Sequence, residues 1–128
     1  MAEHPNATLV RRFYATFRES DYYEKLTEIV AEDVVWHLPG RHPVSGDHRG
    51  RDAVFAAMAY FDGSVALELH DVVANDDHAV ALLLATGERK GRQYRAREID
   101  TFHIRGGKIV EFWSFSEDQR LTDEYWAR

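Results

Sequence analysis

The sequence predicts an α+β fold, because its two kinds of periodicity are segregated along the chain. From Leu9 to Phe61 the apolar residues recur mostly at helical spacing. From about residue 64 onward they alternate with polar ones, as in strands. The breaks in that second half, Asn75-Asp76-Asp77, Lys90-Gly91 and Gly106-Gly107, all suit tight turns.

Each element follows in order. Leu9, Val10, Phe13, Tyr14 and Phe17 share one face of a helix running roughly from Asn6 to Glu19, with Arg11, Arg12, Thr16 and Arg18 opposite. Asp21 and Glu24 have the spacing of a capping box, and Leu26, Ile29 and Val30 supply the apolar side of a second, short helix. Val34 to Leu38 is β-branched and aromatic and stops at Pro39, so it reads as a strand. Pro39 to Arg51 reads as a long loop carrying Arg41, His42, Asp47, His48, Arg49 and Arg51, and loops this long are often functional. Asp52 can cap a third helix whose inner side holds Val54, Phe55, Met58 and Phe61, with Asp62-Gly63 as its stop.

Strands are expected at about 64–75, 78–88, 93–105 and 108–117. Turns this short force antiparallel pairing. Ala79 to Ala85 is apolar on both faces, so both sides of the sheet need a cover there; helices supply one, and a partner subunit is the simplest other. Leu121 to Trp126 ends the chain as a short helix or lid. No repeat, low-complexity run or second domain is evident, so residues 1–128 are expected to form one domain large enough to bury a core.

Composition narrows the function. Hydrophobic residues at 45% and charged ones at 30% exclude a disordered chain. A net charge of −6 repels phosphate backbones, so no nucleic-acid partner is expected. The absence of cysteine removes disulfides, thiolate metal sites and a cysteine nucleophile. No apolar run reaches the roughly 20 residues that cross a bilayer, and Met1 to Thr8 lacks a signal-peptide pattern, which leaves a cytoplasmic protein without a membrane partner as the expectation. No nucleophile elbow, phosphate loop, dinucleotide fingerprint or H-E-x-x-H motif occurs.

What remains is a set of carboxylates, histidines and aromatics. Asp100, inside Glu98-Ile99-Asp100-Thr101-Phe102, is expected in a central strand, where burial would raise its pKa. Such a carboxyl can donate a hydrogen bond to an enolate oxygen or exchange protons with a carbon acid; the alternative is an Asp paired with Arg95 or Arg97. Asp118 follows the last strand, either as an acid/base group at a pocket mouth or as the N-cap of the final helix. Tyr14, Trp36, Leu38, Phe55, Phe102, Trp113 and Phe115 are the candidate walls of a pocket for a small hydrophobic molecule, or simple core. Strand phase decides between them. A two-residue turn at Gly106-Gly107 sets Asp100 opposite Trp113, whereas a longer or bulged turn substitutes Phe112 and Ser114; Trp113 is the expected inward residue. His42 is the candidate proton-transfer histidine of the loop. His37, His42 and His48 lack a fixed register for a metal, so no metal and no cofactor is expected. Arg49 is read as tying down the loop, and the basic hairpin from Arg89 to Arg97 as an edge that resists strand addition.

The stretches Val10-Arg11-Arg12-Phe13-Tyr14, Val35-Trp36-His37-Leu38-Pro39-Gly40, Gly46-Asp47-His48-Arg49-Gly50-Arg51-Asp52, Ile99-Asp100-Thr101-Phe102 and Gly107-Lys108-Ile109-Val110-Glu111-Phe112-Trp113 together resemble the SnoaL-like polyketide cyclase and ketosteroid-isomerase-related group of the nuclear-transport-factor-2-like superfamily. The resemblance spans nearly the whole chain. It implies a cone-shaped, cystatin-like α+β barrel in which about three N-terminal helices wrap a curved, mostly antiparallel sheet, and a homodimer formed through the outer sheet face. Residue by residue it is mixed. The isomerases' general-base aspartate falls on Leu38, and their oxyanion-hole tyrosine on Phe13, with Tyr14 beside it. Only their second oxyanion group, an aspartic acid, has a counterpart in Asp100, which argues against steroid isomerisation by that mechanism. The cyclases' acid/base aspartate near the end of the last strand falls on Asp118, or on Glu117 with a one-residue shift.

The resulting expectation is a cofactor-free acid/base enzyme, of cyclase, isomerase or dehydratase type, acting on a small hydrophobic carbonyl compound. Asp118 is its acid/base, Asp100 the donor to the enolate and His42 an accessory. The alternatives are a non-catalytic binding module with the same pocket, and a dimeric scaffold with a filled core.

Overall fold

The computed structural model describes residues 3–61 and 63–128, so the Asp62 half of the expected helix stop lies outside the described residues. Helix α1 (Pro5–Thr16) begins on a proline at its first turn, where no backbone donor is wasted, and His4 Nδ1 accepts from Asn6 N at 3.1 Å to cap it. It buries Ala7, Val10, Phe13 and Thr16. Helix α2 (Tyr22–Ile29) starts after Asp21, but the expected capping box does not form: the Asp21 side chain makes no cap bond and sits 3.7 Å from Lys25 Nζ. Val30, read as helical, instead opens strand β1 (Val30–Leu38).

The long loop contains a strand of its own, β2 (Gly46–Arg49), which returns antiparallel along β1 with Val35 opposite Arg49 and Leu38 opposite Gly46. Four paired residues without an apolar alternation left no strand signature in the sequence. Helix α3 (Arg51–Phe61) begins one residue before Asp52, which therefore lies in the first turn and does not cap it. Arg51 reaches back from that turn, its Nη2 donating to Thr27 O at 3.1 Å and Val30 O at 2.9 Å, which fixes α3 against the α2–β1 junction.

The strands β3 (Ala66–Ala74), β4 (His78–Arg89), β5 (Arg92–Arg105) and β6 (Lys108–Ser116) form the antiparallel run expected from the turns, and helix α4 (Gln119–Trp126) follows. The spatial order is β2-β1-β6-β5-β4-β3, and β1 joins β6 in parallel, with Trp36 opposite Phe112. This is the curved α+β sheet of the expectation, left unclosed: β2 and β3 are its two edges.

Two packed regions lie on the concave side. At one end α1, β1, β5 and β6 interlock through aromatic rings, with Phe102 stacked on Phe112 at 5.7 Å, Phe112 stacked on Trp36 at 5.2 Å and Phe13 meeting Phe102 edge-on. At the other, α4 lays Tyr125 and Trp126 over Ala85, Tyr94 and Ala96. The space between these regions is not filled. No helix among the described residues is long and apolar enough to cross a membrane.

Gly87 on β4 lets the second region close. A Cβ there would stand 2.4 Å from Ser64 O and 2.6 Å from the Tyr125 hydroxyl, which themselves share a hydrogen bond of 2.5 Å. Gly87→Ala is expected to lower stability by about 2 kcal/mol, as overpacking against backbone does, and a urea midpoint unchanged from wild type would refute this account of the contact.

Candidate functional site

Alternation along β5 builds the site. Tyr94, Ala96, Glu98, Asp100, Phe102 and Ile104 point to the concave face, while Arg95, Arg97 and Ile99 point away. On β6 the residues opposite are Ser116 for Glu98, Ser114 for Asp100 and Phe112 for Phe102. The Gly106-Gly107 turn is the two-residue type, since Arg105 pairs with Lys108 and Ile104 with Ile109. Yet His103 pairs with Glu111, so Val110 is an extra residue in β6, a bulge that slips every later pair by one.

That bulge corrects one expected wall residue, Trp113. Trp113 lies opposite Thr101 on the convex face, stacked on the His37 ring at 4.7 Å with the His103 ring at its edge. Phe115, opposite Ile99 and with 47% of its surface exposed, still borders the cavity at its rim. Ser114 takes the place expected for Trp113.

A cavity of about 670 Å³ opens between α1, β1, α3, the concave face of β5 and β6, and α4. That volume suits an organic ligand of moderate size. Tyr14, Trp36, Leu38, His42 and Asp100 all border it. Phe55 does not: its ring packs on Tyr23 at 5.3 Å, and α3 presents Met58 and Phe61 instead. Phe102 is fully buried in the aromatic region behind the wall. On α1 Tyr14 supplies the phenol facing Asp100, and Phe13, where the resemblance places the isomerases' tyrosine, borders the cavity beside it.

Asp100 is the best-defined group of the site. Tyr14 O–H donates to its Oδ2. Ser114 also bonds the carboxyl, while Trp36 Nε1 donates to Ser114 Oγ at 3.0 Å. Neither Arg95 nor Arg97 reaches it; both are exposed on the convex side, so the paired-arginine alternative fails. Burial pushes the Asp100 pKa up to about 6, against the pull of the Tyr14 and Ser114 hydrogen bonds. The Tyr14 hydroxyl is driven well above its ordinary value by burial and then by the facing carboxylate.

Glu98 is the functional candidate missed in the sequence. It borders the cavity beside Asp100, and Tyr94 O–H donates to its Oε2 at 2.6 Å. Tyr94 is itself held by Thr122 Oγ1 of α4 at 2.7 Å. Burial raises the Glu98 pKa to about 7; the Tyr94 bond lowers it and the Asp100 charge raises it. The signal was present: Glu98 and Asp100 sit two residues apart on a strand, which puts both on one face.

Asp118 is a correction. Its Oδ1 accepts from Leu121 N at 3.0 Å, capping α4, and it is exposed rather than turned into the cavity. Glu117 is occupied too, accepting from the Arg97 backbone N–H at the sheet rim. His42 lies on the wall near Phe61, its pKa lowered by burial. His37, by contrast, is on the convex face between Asp47 at 2.7 Å and Glu111 at 2.5 Å, so the three early histidines do not converge. No group of His, Asp or Glu with metal-binding geometry occurs among the described residues.

Residues 10–112 match the family model of the SnoaL-like domain. The Mycobacterium tuberculosis protein Rv0034 is 33% identical over 132 aligned positions, covering 99% of this chain and all of that one. Bal32a, from a soil-derived mobile gene cassette, is 32% identical, with 95% and 96% of the two chains covered and a TM-score of 0.88. A Xanthomonas campestris protein with a cystatin-like fold is 31% identical over 94% and 97%, with a TM-score of 0.85. A candidate SnoaL-like polyketide cyclase of Jannaschia sp. shares the fold alone, at 16% identity over 90% and 87% of the chains and a TM-score of 0.77.

Two outcomes follow from the site. Asp118→Ala is expected to lower stability by about 1 kcal/mol, the usual worth of a helix cap, while leaving ligand affinity unchanged; weakened binding would return Asp118 to the site. The second concerns pH. Asp100 and Glu98 hold protons more tightly folded than at their ordinary values of 3.8 and 4.5. Their contribution to stability is therefore full below about pH 4 and lost as pH rises through about 6 to 7. Asp100→Asn removes one such group, so its urea midpoint relative to wild type is expected to rise between pH 5 and pH 8. A constant difference across that range would mean that the carboxyl titrates normally.

Proposed function

The chain belongs to the SnoaL-like family, and from that premise we propose a cofactor-free acid/base enzyme that cyclises, isomerises or dehydrates a small hydrophobic carbonyl compound. The observation that carries the proposal is Asp100: a buried carboxyl, without a cationic partner among the described residues, held by Tyr14 and Ser114 against an apolar cavity. A purely structural aspartate of a sheet interior would be paired with a cation or replaced by an apolar residue, since an ionised carboxylate is costly to bury. A titration point near neutrality is what a general base needs in order to be deprotonated at rest and still basic enough to act.

The chemistry is proton transfer at carbon. Asp100 removes a proton from the carbon beside a carbonyl, the C–H electron pair becomes part of a C=C bond, and the carbonyl π pair moves onto oxygen. Re-protonation at another carbon isomerises the compound; attack of the enolate carbon on a second carbonyl closes a ring. The aromatic and aliphatic wall, with Trp36, Leu38, Met58 and Phe61, excludes water and strengthens every electrostatic contact inside. Asp118 has no part in this sequence of steps. The cap it forms supports α4, which closes one side of the cavity.

The reading extends to a cytoplasmic protein and to a homodimer through the convex sheet face. Val73, Ile99 and Phe115 are exposed there, an apolar group that a second copy would cover.

Exchange of the α-protons of 2-tetralone in D₂O, followed by proton NMR, tests the reading. Wild type is expected to accelerate exchange over buffer, with a rate that climbs as pH rises through about 6, and Asp100→Asn is expected to lower it roughly 100-fold. A binding module with no chemistry would hold 2-tetralone without accelerating its exchange.

A further inference from the structure

The proposed step leaves one requirement unmet: a proton donor for the oxygen on which the negative charge develops. The donors beside Asp100 are already committed. Tyr14 O–H points at Asp100 Oδ2, Ser114 bonds the same carboxyl, and Trp36 Nε1 is taken by Ser114. His42 stands on another wall, on the loop before β2, and its ring faces Phe61. Glu98 is different. Its Oε2 accepts from Tyr94, whereas no hydrogen bond to Oε1 occurs among the described residues, and the side chain borders the cavity.

Resting on the acid/base reading above, we propose that Glu98 is a second catalytic residue, which delivers a proton from Oε1 to the substrate's carbonyl oxygen while Asp100 removes the proton from the adjacent carbon. The bonds balance. C–H breaks as Asp100 O–H forms, C=O becomes C–O as C=C forms, and the Glu98 O–H proton moves to that oxygen. The product is an enol, with Asp100 protonated and Glu98 ionised. The reverse transfers at the same or another carbon restore both groups.

Geometry supports the assignment. Residues two apart on a strand stand about 7 Å from each other on the same face, which brackets an O=C–C–H unit with a hydrogen-bond length left on each side. The same placement keeps two like charges apart yet coupled, so that ionisation of Asp100 favours the protonated form of Glu98. The two carboxyls thus divide the labour, with the base ionised and the acid still carrying its proton. Tyr94 is the positioning residue. Its ring stacks on Tyr125 at 4.8 Å, and its hydroxyl lies 2.7 Å from Thr122 Oγ1, so α4 fixes where the Glu98 carboxyl points. The substrate class narrows with it: a neutral ketone or β-dicarbonyl compound fits between two carboxyl groups, while a carboxylate at the reacting end would be repelled.

The experiment uses the same 2-tetralone exchange, with 2-naphthol as an enol-shaped probe of binding read by tryptophan fluorescence. Glu98→Gln keeps the shape and loses the proton; it is expected to cut exchange about 100-fold while 2-naphthol affinity stays within threefold. The rate of wild type is expected to fall as pH rises through about 7, and Tyr94→Phe, by removing the bond that lowers the Glu98 pKa, moves that falling limb to higher pH. A packing role for Glu98 would leave the limb where it is. Exchange by Glu98→Gln within threefold of wild type, alongside a disabled Asp100→Asn, overturns this inference and leaves the proposed function standing. Loss of 2-naphthol binding in Glu98→Gln overturns it as well. Wild-type exchange no faster than buffer removes the proposed function itself.

Discussion

The structure depends on the phase of β6 against β5, and that phase is set by one surplus residue. Side chains alternate strictly along a strand, so a slip of one position exchanges everything that faces inward for everything that faces outward. Val110 supplies the slip. Downstream of it Phe112, Ser114 and Ser116 turn inward, and two of these are small and polar. Without it an indole at Trp113 would stand across from Asp100, filling the space that Ser114 leaves open and removing the hydroxyl that links Trp36 to the carboxyl.

Burial then determines what the carboxyls are. Ion pairs do occur on this protein, as where Arg11 contacts Glu3 and Asp71, but they lie at the surface, where screening leaves them worth little. Asp100 and Glu98 have no such partner among the described residues. Their compensation is a set of hydroxyl groups, Tyr14 and Ser114 for one and Tyr94 for the other. Hydroxyls satisfy a carboxyl in either protonation state, because they can donate to its charged form and accept from its neutral form. An arginine would fix the charged form permanently. The choice of partner keeps both groups able to change state near neutral pH.

Much of this was legible in the sequence because it rests on periodicity. The separation of helices from strands and the turns at Asn75-Asp76-Asp77, Lys90-Gly91 and Gly106-Gly107 follow from spacing, and the burial of Asp100 from its place in a central strand. The errors have a common origin in phase and in residues with two uses. A bulge leaves no composition signal, so nothing in the residues themselves shows that Trp113 faces the convex side. Phe55 and Phe61 belong to the same broad apolar stripe of α3, and only packing decides which of them meets the cavity. Aspartate after a strand and before a helix serves equally as cap or as acid, and Asp118 is the cap. β2 escaped notice because Gly46-Asp47-His48-Arg49 pairs through backbone alone. Glu98 was overlooked although the period-two rule that selected Asp100 selects it too.

The parallel pairing of β1 with β6 has a consequence for how the molecule assembles. Trp36 and Phe112 meet across most of the chain, and a contact between such distant positions forms only after a large loop has closed. The meander from β3 to β6 needs only short hairpins and can zip locally. The β1–β2 ribbon, joined to the rest of the sheet only through β6, is then the late arrival, and until it docks the Phe112 edge of the meander is an open ladder, available to other chains. Once it has docked, that edge is covered, and the open ladders among the described residues are those of β2 and β3.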